Sequence, residues 1–229
     1  KHINWDSLFN VYNIKITDST SDTELWDILS DLILHLNDGH INLYSRNFTK
    51  SVSASPIIRT RNPDDFSINV VKSNYLQQDK TGVSDYFTYG IVKNSNLGYI
   101  HIASFAAANS ENMSEWAYGI DNIVNTLRNC DALIIDLRNN GGGLICNENI
   151  IASAFIDQEI TYLYSRHKTG TKHTDLSELK PISISPRYNI VPFKKQIALL
   201  TNRFTGSGGE YVTQLFKNLP YSTHIGDTT

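Results

Sequence analysis

The chain has little of most features that would announce a specialised class. Two cysteines, Cys130 and Cys146, in 229 residues are too few for a disulfide framework or a four-ligand zinc site. They read as two buried thiols or one optional bridge. No apolar run approaches the ~18 residues that a membrane span needs, and no signal-peptide pattern opens the chain. Neither sign of charge dominates: 20 Lys+Arg against 23 Asp+Glu leave a net charge of −3. Without a basic run there is no electrostatic footprint for nucleic acid or an anionic membrane. Internal repeats and low-complexity tracts are also missing. What remains is a 25.8 kDa chain, long enough for one large domain, or one domain with a small appendage, around a real core.

The patterning is more informative. Ser21 and Glu24 form an S-x-x-E capping box, and Leu25, Ile28, Leu29, Leu32, Ile33 and Leu36 recur at helical spacing, which predicts a helix over 22–36. Asn37-Asp38-Gly39 stops it, and His40 follows in a loop. Residues 41–95 read as short strands and turns, with Pro56 and Pro63 among them. From Leu97 the character changes. A strand over 97–105 is followed by a helix capped by Ser110, with Met113, Trp116, Ile120, Ile123, Val124 and Leu127 on one face. Buried strands are predicted at 132–135 and 197–200, and helices at 147–156 and 209–219. Strand–helix alternation of this kind argues an α/β fold with right-handed crossovers. Functional groups then gather at the carboxyl ends of the strands.

Two glycine-rich loops occupy such ends. Asp136-Leu137-Arg138-Asn139-Asn140-Gly141-Gly142-Gly143 joins a strand to a helix. Its glycines let backbone N–H groups point outward, and the helix N-terminus adds partial positive charge. That suits an anion or a developing oxyanion; the alternative is a tight turn with no ligand. Dinucleotide-binding and P-loop spacings are absent. The second loop is Thr205-Gly206-Ser207-Gly208-Gly209-Glu210. Ser207 fits a nucleophile elbow, with the Gly208 N–H as an oxyanion donor. It equally fits a helix N-cap whose capping box is completed by Glu210, and both can hold at once.

A serine nucleophile needs a base. Lys217, the only lysine after Ser207, is ~15 Å along the same helix. His224 and Asp227 come too late for a Ser…Asp…His order, and Thr205 replaces the first glycine of G-x-S-x-G. His101 sits mid-strand, His35 reads as structural, and His167 and His173 lie in a polar stretch with no metal role. His40, in a loop, is free to project into a cleft.

Taken together, Leu36-Asn37-Asp38-Gly39-His40, Ile134-Ile135-Asp136-Leu137-Arg138-Asn139-Asn140-Gly141-Gly142-Gly143 and Thr205-Gly206-Ser207-Gly208-Gly209-Glu210 resemble the C-terminal processing (tail-specific) protease family, with its tricorn-core and retinoid-binding-protein relatives. Gly98-Tyr99-Ile100-His101-Ile102 looks like the strand that opens that family's catalytic core. The resemblance implies an α/β, ClpP/crotonase-like core of repeated strand–helix units with an N-terminal helical segment. It divides the chain into a helical cap segment at 1–45, a connecting β-rich segment at 46–95 too short for a PDZ domain, and a catalytic core at 96–229 that is truncated at its C-terminus.

It also implies that Ser207 attacks a peptide carbonyl. Gly142 or its neighbour Gly141, with Gly208, would form the oxyanion hole. Asp136, Arg138 and Asn140 would hold the loop, and Glu210 would support the serine turn. Many members place a lysine base about twenty-five residues after the serine. Here Gly226-Asp227-Thr228-Thr229 resembles the approach to it, which puts that lysine beyond residue 229. The tricorn-like branch uses an N-terminal histidine, and His40 fits that place. The expectation is therefore a serine endopeptidase acting on peptide or protein substrates, without cofactor or metal and placed outside the cytoplasm by family analogy. The alternatives are a Ser–Lys peptidase, an inactive fragment, a non-catalytic module holding an apolar ligand or peptide, and an anion or acyl-CoA-type site.

Overall fold

The computed structural model describes residues 3–46, 49–54 and 66–227. Pro56, Pro63, Thr228 and Thr229 of the sequence reading lie outside them. The chain divides into two compact units, Lys1–Asn62 and Pro63–Thr229.

In the first unit, α1 (Trp5–Asn13) starts at Asn4, whose side chain accepts from Ser7 N, and α2 (Asp22–Leu34) starts at the expected capping box of Ser21 and Glu24. Asn37, at φ 55°, closes α2 in the left-handed region that asparagine tolerates. Tyr12 ties the helices together, its hydroxyl 2.7 Å from Asp31 Oδ2 and 2.8 Å from His35 Nε2. The hydrogen bond to Asp31 pushes the Tyr12 phenol up to about 12. Strands β1 (Asn42–Tyr44) and β2 (Ser51–Ser53) pair as a small antiparallel ladder.

The second unit opens with α3 (Ile68–Val70), which runs into a wide turn at Val71–Tyr75. The strands of its main sheet and the helices between them follow as β3 (Gly82–Val83), β4 (Phe87–Ile91), β5 (Leu97–Ile102), α4 (Gly119–Thr126), β6 (Ala132–Asp136), α5 (Ile145–Ala152), β9 (Gln196–Thr201), α6 (Gly208–Lys217) and β10 (Ser222–Gly226). Between α5 and β9, β7 (Ile160–Ser165) and β8 (Lys180–Ile184) form a separate hairpin ladder. The six-stranded sheet has the order β10-β9-β6-β5-β4-β3. Strands β5, β6, β9 and β10 are parallel; β4 and β3 extend the sheet antiparallel.

Alternation along the parallel strands sorts the two faces. Ile100, Ile102, Leu133, Ile135, Ile197 and Leu199 join Ile120 and Val124 of α4, Leu127 just after it, Ile151 of α5 and Val212, Leu215 and Phe216 of α6 in one buried core. The sheet order advances in one direction without reversal, which is how successive crossovers of one hand stack their helices on one face.

Several local expectations shift. The strand starting at Leu97 ends at Ile102, and Ser110 caps nothing helical. Instead Asn109 Oδ1 accepts from Glu111 N and Asn112 N, and Asn112 Oδ1 accepts from Glu115 N. These side chains satisfy the backbone locally and delay the helix, a 3-10 turn at Glu115–Tyr118 preceding α4, so Met113 is exposed. The cysteines are free, Cys130 buried and Cys146 exposed, so neither the bridge nor a pair of buried thiols is formed. Among the described residues no helix is long and apolar enough to cross a membrane.

Candidate active site

The glycine loops leave neighbouring parallel strands, β6 and β9, and side chains join them. Asn139, itself at φ 63°, receives Asn202: Asn139 N donates to Asn202 Oδ1 at 3.0 Å and Asn202 Nδ2 to Asn139 Oδ1 at 2.9 Å. Thr205 Oγ1 donates to the Leu137 carbonyl at 2.8 Å, and Gly206 N to the Asn140 carbonyl at 3.0 Å. Asn140 is fully buried. Its Nδ2 donates to the Ile102 carbonyl and its Oδ1 accepts from Gly142 N at 2.8 Å, so its side chain ties the glycine loop to β5 and to itself while its backbone carbonyl holds the serine loop.

Below the loop, Asp136 is fully buried at the end of β6. It accepts from the Tyr99 hydroxyl at 2.7 Å and from the Arg138 backbone and guanidinium. Burial and then the Asp136 charge push the Tyr99 phenol far up. His101, also buried, reaches the Arg138 carbonyl at 3.3 Å, and desolvation pulls its pKa down. A buried carboxylate with this many donors is tolerable only as a complete network.

Ser207 stands at φ 50°, ψ −120°. The comparison with Ser21 is informative, because both begin an S-x-x-E helix start. Ser21 has the extended backbone of an ordinary N-cap, at φ −71°, ψ 160°. Ser207 is held in a region that costs a residue with a Cβ about 1–3 kcal/mol. Capping alone does not require that strain. Glu210 Oε2 accepts the Ser207 N–H at 2.8 Å, and Glu210 N donates to the Ser207 carbonyl at 2.9 Å, so the turn is braced from α6.

Gly142 presses on this turn. At φ +92° it is left-handed, and a Cβ on it would stand 2.9 Å from Ser207 Cβ and overlap Gly208 N. The structure thus brings Gly142, Ser207, Gly208 and Glu210 together, with Asp136, Arg138 and Asn140 beneath. Gly141 is exposed, and a Cβ there would meet nothing within 4 Å. His40 belongs to the first unit, where Asp38 Oδ1 accepts from its backbone N at 2.9 Å and lies 3.1 Å from its Nδ1. These bonds hold the Asp38 carboxyl below its usual range. Of the other histidines, His224 lies on β10 with Nε2 2.7 Å from Thr201 Oγ1, and His167 and His173 are exposed.

Sequence reasoning missed Asn202 and Thr205, whose value lies in contacts 63 and 68 residues away along the chain. It also missed Glu148. That signal was visible: Glu148, Ile151 and Ala152 fall on one helical stripe, and the stripe is the buried one.

A serine lifted on a strained turn at the carboxyl end of a parallel sheet, with a glycine loop against it, is the construction of an acyl-transfer serine hydrolase. Residues 96–229, more than half of the sequence, match Peptidase family S41. The chain belongs to that family of serine peptidases. It is similar to a candidate peptidase from Parabacteroides merdae, with a TM-score of 0.79 and 25% identity over 98% of this chain and 67% of the other. A lipoprotein from Streptococcus agalactiae shares the fold at a TM-score of 0.58 and 20% identity, over 98% of this chain and 68% of its own. The family match bears out the resemblance and the α/β class read from the sequence.

Proposed function

We propose that the chain is a serine endopeptidase in which Ser207 Oγ attacks the peptide carbonyl and His40 accepts its proton. His40 then gives that proton to the leaving amine, and water releases the acyl group from Ser207 by the reverse sequence. Asp38 supports His40 as base: with Nδ1–H held by that carboxylate, Nε2 is left to take the proton. The Gly208 N–H supplies one oxyanion donor. The second comes from the glycine loop, either from Gly142, which would exchange its bond to Asn140 Oδ1, or from Gly141. Peptides or proteins are the substrates, and an extracytoplasmic setting rests on family analogy.

The observation that carries this reading is the Ser207 backbone at φ 50°, ψ −120°. Strain at a serine whose neighbour Gly208 has an N–H without a partner among the described residues has a chemical use that capping does not supply. The test is labelling by a fluorophosphonate probe, with Ser207→Ala and His40→Ala controls. Labelling lost in both variants supports Ser207 and His40. Labelling that survives His40→Ala removes His40 as base, and no labelling of the parent chain overturns the peptidase.

A second reading has its own observation. A cavity of about 420 Å³ on the sheet face opposite α4, α5 and α6, beneath α3, is lined by Phe66, Val70, Val71, Leu76 and Tyr99. Saturable binding of an apolar fluorophore there, in a chain that never labels, would favour a ligand-holding module.

A further inference from the structure

We propose that Glu148 of α5 is a positioning residue for the oxyanion donor Gly208, supporting it while the carboxyl is neutral and opposing it once ionised. The inference rests on the reading of Ser207 and Gly208 given above and assigns that site its alkaline limit. Glu148 is 3% exposed, and neither of its carboxyl oxygens has a hydrogen-bond partner among the described residues. Buried carboxylates are normally paired or bonded, so one left bare marks a place where something other than stability is served.

Its position says what. The carboxyl group lies directly against Gly208, so that a Cβ on that residue would overlap Glu148 Oε1 and stand 2.5 Å from its Cδ. Gly208 is the residue after the serine and the first of α6. Its N–H has no partner among the described residues. As a neutral acid, Glu148 fills the space behind Gly208 and leaves that N–H available to a reacting carbonyl oxygen. As a carboxylate it acts twice in the wrong direction. It attracts the free N–H to itself, and it places a like charge behind the oxyanion.

Among the described residues no cationic group faces that carboxyl. Among the described residues, the titratable groups that share a cavity with Glu148 are two phenols, Tyr211 from α6 and Tyr162 from β7. Glu210 is turned to Ser207 N, and Glu115, in the 3-10 turn packed on α5, is bonded to Asn112. The turn at Ser153–Phe155 brings no ionisable side chain. Burial alone pushes the Glu148 carboxyl from the ordinary 4.5 up to about 7. The cavity beside it, between Tyr162, Tyr211, Val212 and Leu215, amounts to about 10 Å³, room for a single water at most. A substrate side chain does not fit there.

The experiment is the second-order rate of fluorophosphonate labelling between about pH 5 and 9.5, on the parent chain and on Glu148→Gln and Glu148→Met. Circular dichroism confirms that each is folded. A unit charge ~5 Å from a developing oxyanion, at an effective dielectric constant of ~20, slows the step on the order of 100-fold. The parent rate should therefore fall above neutrality. Both variants should keep their rate, labelling at least about tenfold faster than the parent at about pH 9 and within about threefold of it at about pH 5.5. Equal alkaline limbs in all three chains, or no alkaline fall in the parent, would overturn the role of Glu148 and leave the peptidase standing. A parent chain unlabelled at every pH would overturn the peptidase itself, and this inference with it.

Discussion

The backbone oxygen of Asn140 accepts the N–H of Gly206 at 3.0 Å, so the loop after β6 holds the residue just before the serine. The Asn140 side chain extends the same hold, to Ile102 through Nδ2 and to Gly142 through Oδ1. Asn140→Ala leaves a buried carbonyl and a buried N–H unpaired, which costs about 2–4 kcal/mol. Thermal unfolding should show a Tm lower by roughly 5–12 °C. Probe labelling should fall more steeply than the fraction folded, because the serine turn loses its alignment. An unchanged Tm would show that the loop is held by other contacts.

The two adjacent glycines should behave oppositely. Gly142→Ala puts a Cβ into Gly208 N at a φ of +92°, and should cost about 2 kcal/mol or more and abolish labelling. Gly141→Ala meets nothing within 4 Å and should change stability by less than about 1 kcal/mol. Chemical denaturation of the pair decides it. Equal effects would mean that Gly142 is not the pressed residue.

His40 and Asp38 should separate in degree. Removing a general base costs about 10²–10⁴-fold, so His40→Ala should lower the labelling rate by that order. Asp38→Asn keeps the loop but loses the charge on Nδ1, and should cost less, about tenfold. The Asp38 carboxyl lies below the usual range. Its effect should thus be constant across the neutral and alkaline range, in rate against pH. A pH-dependent difference would exclude this assignment.

Glu148 also predicts a stability slope, with a defined sign. The folded carboxyl titrates near about 7 against an ordinary 4.5, so between those values the folded chain binds the extra proton. Stability is full at low pH, declines as pH rises from about 4.5 to 7, and is then level. The shift corresponds to about 3 kcal/mol. Urea unfolding of the parent, minus that of Glu148→Gln, should show this decline. A difference that does not vary with pH would place the Glu148 titration elsewhere.

Helix α2, strands β5, β6 and β9 and helices α5 and α6 were legible in the sequence to within a few residues at each end: α2 and α6 open on capping boxes, β6 and β9 are continuous apolar runs, and β5 alternates. The start of α4 was not. Ser110 looked like a cap, but Asn109 and Asn112 offered the backbone closer acceptors. At the site, Ser207 and the glycines were legible as residue types at strand ends. Their alignment was not, since it depends on Asn139 meeting Asn202 and Thr205 meeting Leu137 across the sheet. Such pairings leave no local spacing to read. The strain at Ser207 was equally invisible, because an S-x-x-E start looks the same for Ser21 and Ser207 until the backbone angles are known.

The Asn139–Asn202 clasp spans 63 residues of chain and depends on β6 and β9 already lying side by side. A folding chain closes such long loops late. On the proposed role of Ser207, a half-folded chain should therefore carry an unreactive hydroxyl, and reactivity should arrive only with the finished sheet. If the proposed peptidase activity holds, that timing would keep unfolded copies of the chain from being cut by half-made ones. In stopped refolding, probe reactivity should lag behind the recovery of helix signal.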